Sequence, residues 1–295
     1  MSHNHRPPYN RAFFIGISLN VIYIIVEFIY GLISNSMALI ADAGHNLSDV
    51  LGLILAWGAS YLATKTPTNR RTYGFRKSTV LASLTNAVIL LIAVGAIAFE
   101  SIKRFSEPQV IESETIIYVA AIGVIINGIT AYLFFADHKH DLNIKGAFLH
   151  MAADAAVSLG VVIAAVFIGL TGFSWIDPVV SLIIVIVITI GTWGLLKESL
   201  NLSLDAVPKN IDIEAVQKYF LNLKDVKNIH DLHIWAMSTT ETALTAHLYM
   251  PDSNVDDDFI EKINNDLRKQ FDINHATIQI ERTEICNECN MIGNI

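Results

Sequence analysis

The chain has 295 residues, of which 53% are hydrophobic and only 16% charged, and its mean hydropathy is +0.46. Soluble domains are nearer one quarter charged, so the composition excludes an ordinary soluble protein and points to one embedded in a bilayer. The formal charge of −8 is unevenly spread: 12 basic residues balance 12 acidic ones up to residue 200, whereas 8 face 16 beyond it, and an acidic segment favours cations over nucleic acid.

Residues 1–11 are polar and carry His3 and His5. Apolar runs long enough to cross a bilayer, about 20 helical residues each, then predict six spans at 12–31, 36–64, 79–100, 115–136, 143–170 and 176–197. The first run is too long for the apolar core of a signal peptide, so it reads as a span. The connection between spans two and three holds Lys65, Arg70, Arg71, Arg76 and Lys77 without an acid, whereas that between three and four mixes Lys103 and Arg104 with Glu107, Glu112 and Glu114. Positive charge stays inside, so both chain ends are expected in the cytosol. The compact architecture, without organelle signals, suggests a bacterial inner membrane.

The transmembrane domain is therefore expected over 12–200 and a soluble domain over 201–285. Within the latter the pattern gives a helix at 211–221, strands at 229–237 and 242–250, a helix at 255–271 and a strand at 276–282. Both middle strands alternate apolar and polar residues, and Phe259, Ile263 and Leu267 share one helix face. That αββαβ order suits a two-layer domain with helices on one side of a sheet. The tail 286–295 contains Cys286 and Cys289 in a C-x-x-C spacing, too few for a disulfide framework and suited to a metal or redox pair.

Of the ten histidines, His45 and His150 are expected inside the membrane and the other eight on the cytosolic side. Span two contains His45 and Asp49, and span five His150 and Asp154. Residues four apart share a helix face, and spans two and five run antiparallel, so the two pairs can converge at one depth. A central Asp in a membrane helix costs about 2.5–3.5 kcal/mol on insertion scales, and a bound dication offsets two of them. Two imidazoles and two carboxylates make a tetrahedral set that zinc accepts, and imidazole also suits cobalt, nickel and copper. Magnesium and calcium favour oxygen ligands. Helix–helix hydrogen bonds or a metal-free proton relay are the plainer alternatives. Two identical pairs on two helices count against them.

The stretch from Ser36 to Asp49, with Tyr73-Gly74-Phe75-Arg76, Asp141-Leu142-Asn143, Asp177-Pro178 and His230-Asp231-Leu232-His233-Ile234-Trp235, resembles the zinc branch of the cation diffusion facilitator family. The matches follow in order along nearly the whole chain. The resemblance implies a homodimer of six-span protomers, each with a cytosolic metallochaperone-like domain, exporting metal by alternating access in exchange for protons. It assigns the transport site to His45, Asp49, His150 and Asp154, with His at the first position favouring zinc. It also implies a regulatory zinc site in the soluble domain, placed here at His230, His247 and Glu281. For His233, on the same alternating face as Trp235, a structural role is expected instead. A terminal site joining Cys286 and Cys289 to His3 and His5 resembles a pairing in some relatives; the alternative is a frayed terminus with a free dithiol. His138 and His140 either recruit metal in a loop or are simply solvated.

Proton coupling follows from the ligands themselves. A metal needs neutral imidazole and ionised carboxylate, so binding displaces protons and acid displaces metal, and free histidine titrates near pH 6.5. The loop between spans two and three lacks the Asp or His ligands found in some relatives, so no further site is expected there. Asn20, Glu27, Asn86, Asn127 and Ser158 either line the cavity or bridge helices, and Asp42, one turn from His45, is placed on the exit route. No H-E-x-x-H stands in the sequence, which counts against an intramembrane metalloenzyme, and a metal sensor anchored by its spans has no need of buried ligands on two of them.

Overall fold

The computed structural model describes residues 10–135, 142–251 and 256–283. Six long helices come first: α1 (Asn10–Ile33), α2 (Met37–Ala63), α3 (Ser78–Ser106), α4 (Ser113–Phe135), α5 (Leu142–Thr171) and α6 (Ile176–Ser203). Segments of α2 to α6 are long and apolar enough to cross a bilayer, and the described apolar part of α1, Val21–Ile33, adds a shorter one. Helices α3 and α6 outrun the ends expected at 100 and 197. Beyond the apolar stretch the helix continues in polar residues, and in α3 the last turn carries Lys103 and Arg104, which suit the negative end of the helix dipole.

The chain divides into two compact units, one built from residues up to Ile54 with Asn86–Gly194, the other from Leu55–Thr85 with the chain from Leu195 onward. In the first, Leu39, Ala41, Leu90, Val94, Ile116, Ala120, Val161, Ala165 and Ile184 form a buried cluster drawn from α2 to α6. Lipid tails are as apolar as leucine, so close backbone approach rather than the hydrophobic effect holds such helices together. The small buried side chains Ala38, Ala41, Ala43, Ala87 and Ala120 meet that need. At Gly31 even a methyl group would lie 2.9 Å from the Ile40 side chain, so only glycine lets α1 and α2 approach there.

Asp177, at the start of α6, is buried against the first turn of α2, where the Met37 N–H donates to its Oδ2 at 2.7 Å and the Ala38 N–H to its Oδ1 at 3.3 Å. The Ser36 hydroxyl also donates to Oδ1, at 2.5 Å. The first N–H groups of a helix lack intrahelical partners and carry partial positive charge, so one carboxylate satisfies this helix start from a different helix.

The soluble part of the second unit contains α7 (Ile213–Leu221), β1 (Asn228–Ala236), β2 (Thr242–Tyr249), α8 (Asp257–Phe271) and β3 (His275–Glu281). Its αββαβ order is the expected one. Asp212 caps α7, accepting from the Glu214 and Ala215 N–H groups, and Asp256 caps α8, accepting from Phe259. The sheet runs β1-β2-β3, antiparallel then parallel. Val216 and Phe220 of α7 and Ile263 and Leu267 of α8 pack with Ile234, Leu244, Ala246 and Leu248 into one buried core. The loop before α3 belongs to this unit too: Arg76 pairs with Glu241 at 2.8 Å, Lys77 pairs with Asp205, the Thr239 N–H donates to Thr79 Oγ1 at 3.0 Å, and Tyr73 meets His275 edge to face.

Candidate metal centre

His45 and Asp49 sit one turn apart on α2, and His150 and Asp154 one turn apart on α5. The structure brings all four together. His150 Nε2 lies 3.2 Å from Asp49 Oδ2 and 3.7 Å from Asp154 Oδ2, while His45 Nε2 lies 3.6 Å from Asp154 Oδ1 and 3.9 Å from Asp49 Oδ2. The two imidazoles stand nearly perpendicular, at 81°, with ring centres 6.2 Å apart. Zinc–nitrogen and zinc–oxygen bonds of about 2.1 Å imply a tetrahedron with edges of about 3.4 Å. The four imidazole–carboxylate distances fall around that value, with Asp154 facing His45 through Oδ1 and His150 through Oδ2. Asp49, His150 and Asp154 gather one donor atom each within 4.8 Å, and His45 stands just outside that group.

The environment is graded across the site. Asp154 is almost wholly enclosed at 4% exposure, His45 is 23% exposed, and Asp49 and His150 are open at 35% and 44%. Asp49 Oδ2, which faces both imidazoles, is a buried oxygen without a hydrogen-bond partner, and His45 Nδ1 is a buried nitrogen without one. Asp49 Oδ2, facing both imidazoles and unsatisfied by the protein, suits a cation that completes it, whereas His45 Nδ1 is not the ring nitrogen that faces the carboxylates.

A second group forms on the sheet. His230 of β1 pairs directly with His247 of β2, and Glu281 of β3 lies two residues beyond Gln279, the register partner of His247. Alternation along a strand puts all three on one face. His230 Nε2 is 3.0 Å from Glu281 Oε2, and His247 Nδ1 is 3.0 Å from Glu281 Oε1. Despite those distances both nitrogens are buried without a hydrogen bond. They lie close to the carboxylate yet outside hydrogen-bond geometry with it. Among the described residues, this trio and the trio Asp49, His150 and Asp154 each gather their donor atoms within 4.8 Å.

One participant was not singled out from the sequence. Asp231 takes a left-handed conformation, φ 51°, where the β1–β2 register shifts between His230 and His233. The extra residue turns its carboxylate toward His247 Nε2 at 3.5 Å and His233 Nε2 at 3.0 Å. His233 is accordingly exposed and hydrogen-bonded to Asp231 rather than packed. An Asp in a bulge, where the left-handed region is least costly for Asn and Asp, leaves no trace in an alternation pattern. Glu27, Asp42 and Ser158 are wholly buried, Asn127 nearly so. His3, His5, His138, His140, Cys286 and Cys289 lie outside the described residues.

Apolar helices that cross a bilayer, with His and Asp donor atoms gathered between two of them, define an integral multi-pass membrane protein of the cation-carrier class. Residues 13–202 match the cation efflux transmembrane domain and residues 208–283 the cation efflux protein cytoplasmic domain. The chain is 34% identical to the cadmium, cobalt and zinc/H(+)-K(+) antiporter of Bacillus subtilis, over 99% of this chain and 95% of that protein. To the metal cation efflux system protein CzcD of Cupriavidus metallidurans it is 35% identical, over 95% and 89% of the two chains. A solved structure, the metal-bound C-terminal domain of the CzcD transporter of that organism, shares 37% identity over 24% of this chain and 99% of its own, with a TM-score of 0.22. The chain belongs to the cation efflux, or cation diffusion facilitator, family. That is a family of transporters, not of enzymes.

Proposed function

We propose that this protein exports zinc from the cytosol by alternating access, taking up protons in return, and that His45, Asp49, His150 and Asp154 are the ligands that carry the ion. The observation that carries this reading is the convergence of two imidazoles and two carboxylates from α2 and α5. Each imidazole lies 3.2–3.9 Å from both carboxylates, near the edge length of a zinc tetrahedron, and Asp49, His150 and Asp154 gather one donor each within 4.8 Å, with His45 beside them. The names of the relatives, which include cadmium, cobalt and zinc carriers, favour the same class of cargo. Each imidazole faces carboxylates, so a proton on nitrogen and a dication compete for the same position. Acid on the receiving side displaces the ion, and the protonated site returns.

In this reading the membrane domain spans 12–200, the soluble domain 201–285, and the termini face the cytosol of a bacterial inner membrane. Two copies pair through the soluble domain. His230, His247 and Glu281 hold regulatory zinc, which ties occupancy of that domain to cytosolic metal. Cys286 and Cys289 with His3 and His5 are kept as a terminal site.

Zinc-loaded proteoliposomes test the reading. Transport rises with an opposing proton gradient and is abolished in Asp49→Ala with the fold retained. Equal rates with and without the gradient sink the proton coupling, and full activity in Asp49→Ala removes the ligand assignment.

A further inference from the structure

Beside the quartet lies a second buried polar group that cation ligation does not use. Glu27 of α1 and Asp42 of α2 have no exposed surface. The Tyr23 hydroxyl donates to Glu27 Oε1 at 2.7 Å, the Asn46 amide donates to Glu27 Oε2 at 3.4 Å, and the Ser158 hydroxyl donates to Asp42 Oδ2 at 2.7 Å. The two carboxyls lie within hydrogen-bonding reach of each other. Asp42 Oδ1 is left buried with no donor.

Next to the negative charge of the empty quartet, two adjoining buried carboxylates do not both stay ionised, because desolvation and repulsion act together. One proton resolves both problems. Carried on Glu27, it can donate to Asp42, whose Oδ1 otherwise has no donor. The sequence is built to keep the arrangement: a Cβ at Gly123 of α4 would stand 2.1 Å from Tyr23 Oη and 3.2 Å from Ser158 Oγ, so only glycine leaves room for both donors.

The titratable groups facing the pair are Tyr23 from α1, His45 from α2 and Asp154 from α5; α4 brings the Val119 carbonyl and Gly123. Among the described residues no lysine or arginine pairs with either carboxylate. We propose that Glu27 and Asp42 form a proton-binding site separate from the metal ligands, holding one shared proton while the cargo site is empty and releasing it when a dication fills that site. With neutral imidazoles the empty quartet carries two negative charges, and the dication cancels them. The O–H bond on Glu27 then breaks, the proton leaves to water, and both carboxylates remain ionised. Each cycle so carries one proton beyond those taken by the imidazoles. This extends the transport-site reading above.

The test uses the purified full-length protein in lipid nanodiscs at a pH above the ordinary histidine range. Infrared spectra of the metal-free protein should show a protonated-carboxyl carbonyl band, shifted in heavy water and missing from both Glu27→Gln and Asp42→Asn. Each amide donates to the remaining carboxylate, so either variant that folds suffices. Adding zinc should erase the band in the native protein. In Glu27→Gln one proton fewer should be released per zinc, and zinc affinity should gain about tenfold less per pH unit. No band in the native metal-free protein, a band that survives in both variants, or one that zinc leaves unchanged overturns the proposal. So does a band that potassium, compared with choline, removes, since the pair then binds a monovalent metal ion. Zinc binding that does not depend on His45 strikes the cargo-site reading alone, and the metal-free band still decides whether the pair holds its proton.

Discussion

Asp154→Asn is the sharpest probe of the quartet, because that carboxylate is the enclosed one. At 4% exposure Asp154 presents Oδ1 to His45 and Oδ2 to His150, at 3.6 and 3.7 Å. A unit pair 4 Å apart attracts by about 4 kcal/mol at an effective dielectric of about 20, hence about 8 kcal/mol for a dication. Desolvation removes several kcal/mol of that. A net loss of roughly 3–5 kcal/mol remains, which weakens zinc binding between about 100-fold and several thousand-fold. Asparagine keeps the shape and one ligating oxygen, so the fold should survive. Asp49 is 35% exposed, and solvent screens it. Its Asn variant should therefore lose less affinity than Asp154→Asn. Zinc dissociation constants measured against a competing chelator, at fixed pH in nanodiscs, check both the size and the order. An Asp154→Asn loss below tenfold, or a larger loss in Asp49→Asn, refutes the reasoning from enclosure.

Other expectations rest on separate parts of the molecule. In the soluble domain, zinc at about 100 times its dissociation constant should stabilise by about 2.7 kcal/mol, seen as a higher melting temperature of that domain, and His247→Ala should abolish the shift while leaving zinc bound at the quartet. Gly123→Ala should destabilise the membrane unit by about 1–3 kcal/mol, since its methyl group collides with Tyr23 Oη; in the background of Tyr23→Phe, thermal unfolding should show a smaller loss. Burial, and then the Asp266 carboxylate that accepts from its hydroxyl at 2.9 Å, raise the Tyr219 phenol above its ordinary value. A group raised in the folded state supports folding below its unfolded value, about pH 10 for a phenol, and loses that support as pH climbs through the folded value. Tyr219→Phe should remove the alkaline loss in pH-dependent denaturation of the domain, at a cost of about 0.5–1.5 kcal/mol at neutral pH for the hydrogen bond.

The proposed transport quartet was legible because helical spacing is local. Four residues make a turn, so His45 with Asp49 and His150 with Asp154 could be paired by counting, and the antiparallel spans supplied the rest. The soluble domain was legible at the level of its strands, and strand alternation kept His230, His247 and Glu281 eligible as partners. Asp231 was not legible, since its role comes from a register shift that reverses the local alternation. Glu27 and Asp42 stood out as ionisable residues in apolar runs. Their proximity depends on how α1 packs on α2, at Gly31 and Ile40, and packing of that kind leaves no periodic mark. The same holds for Tyr23 and Gly123, which are 100 positions apart yet in contact.

The anchorage of α2 on Asp177 bears on how the carrier can move. With its first turn held by Asp177 at the start of α6, a tilt of α2 would turn about a point near Met37. At 1.5 Å rise per residue, Asp49 stands about 18 Å from that point, so a tilt of about 10° would sweep it through about 3 Å. On the proposed ligand assignment, a swing that small would pull one His–Asp pair off the other while the first turn stays clamped, so that the ion would be let go without the bundle coming apart.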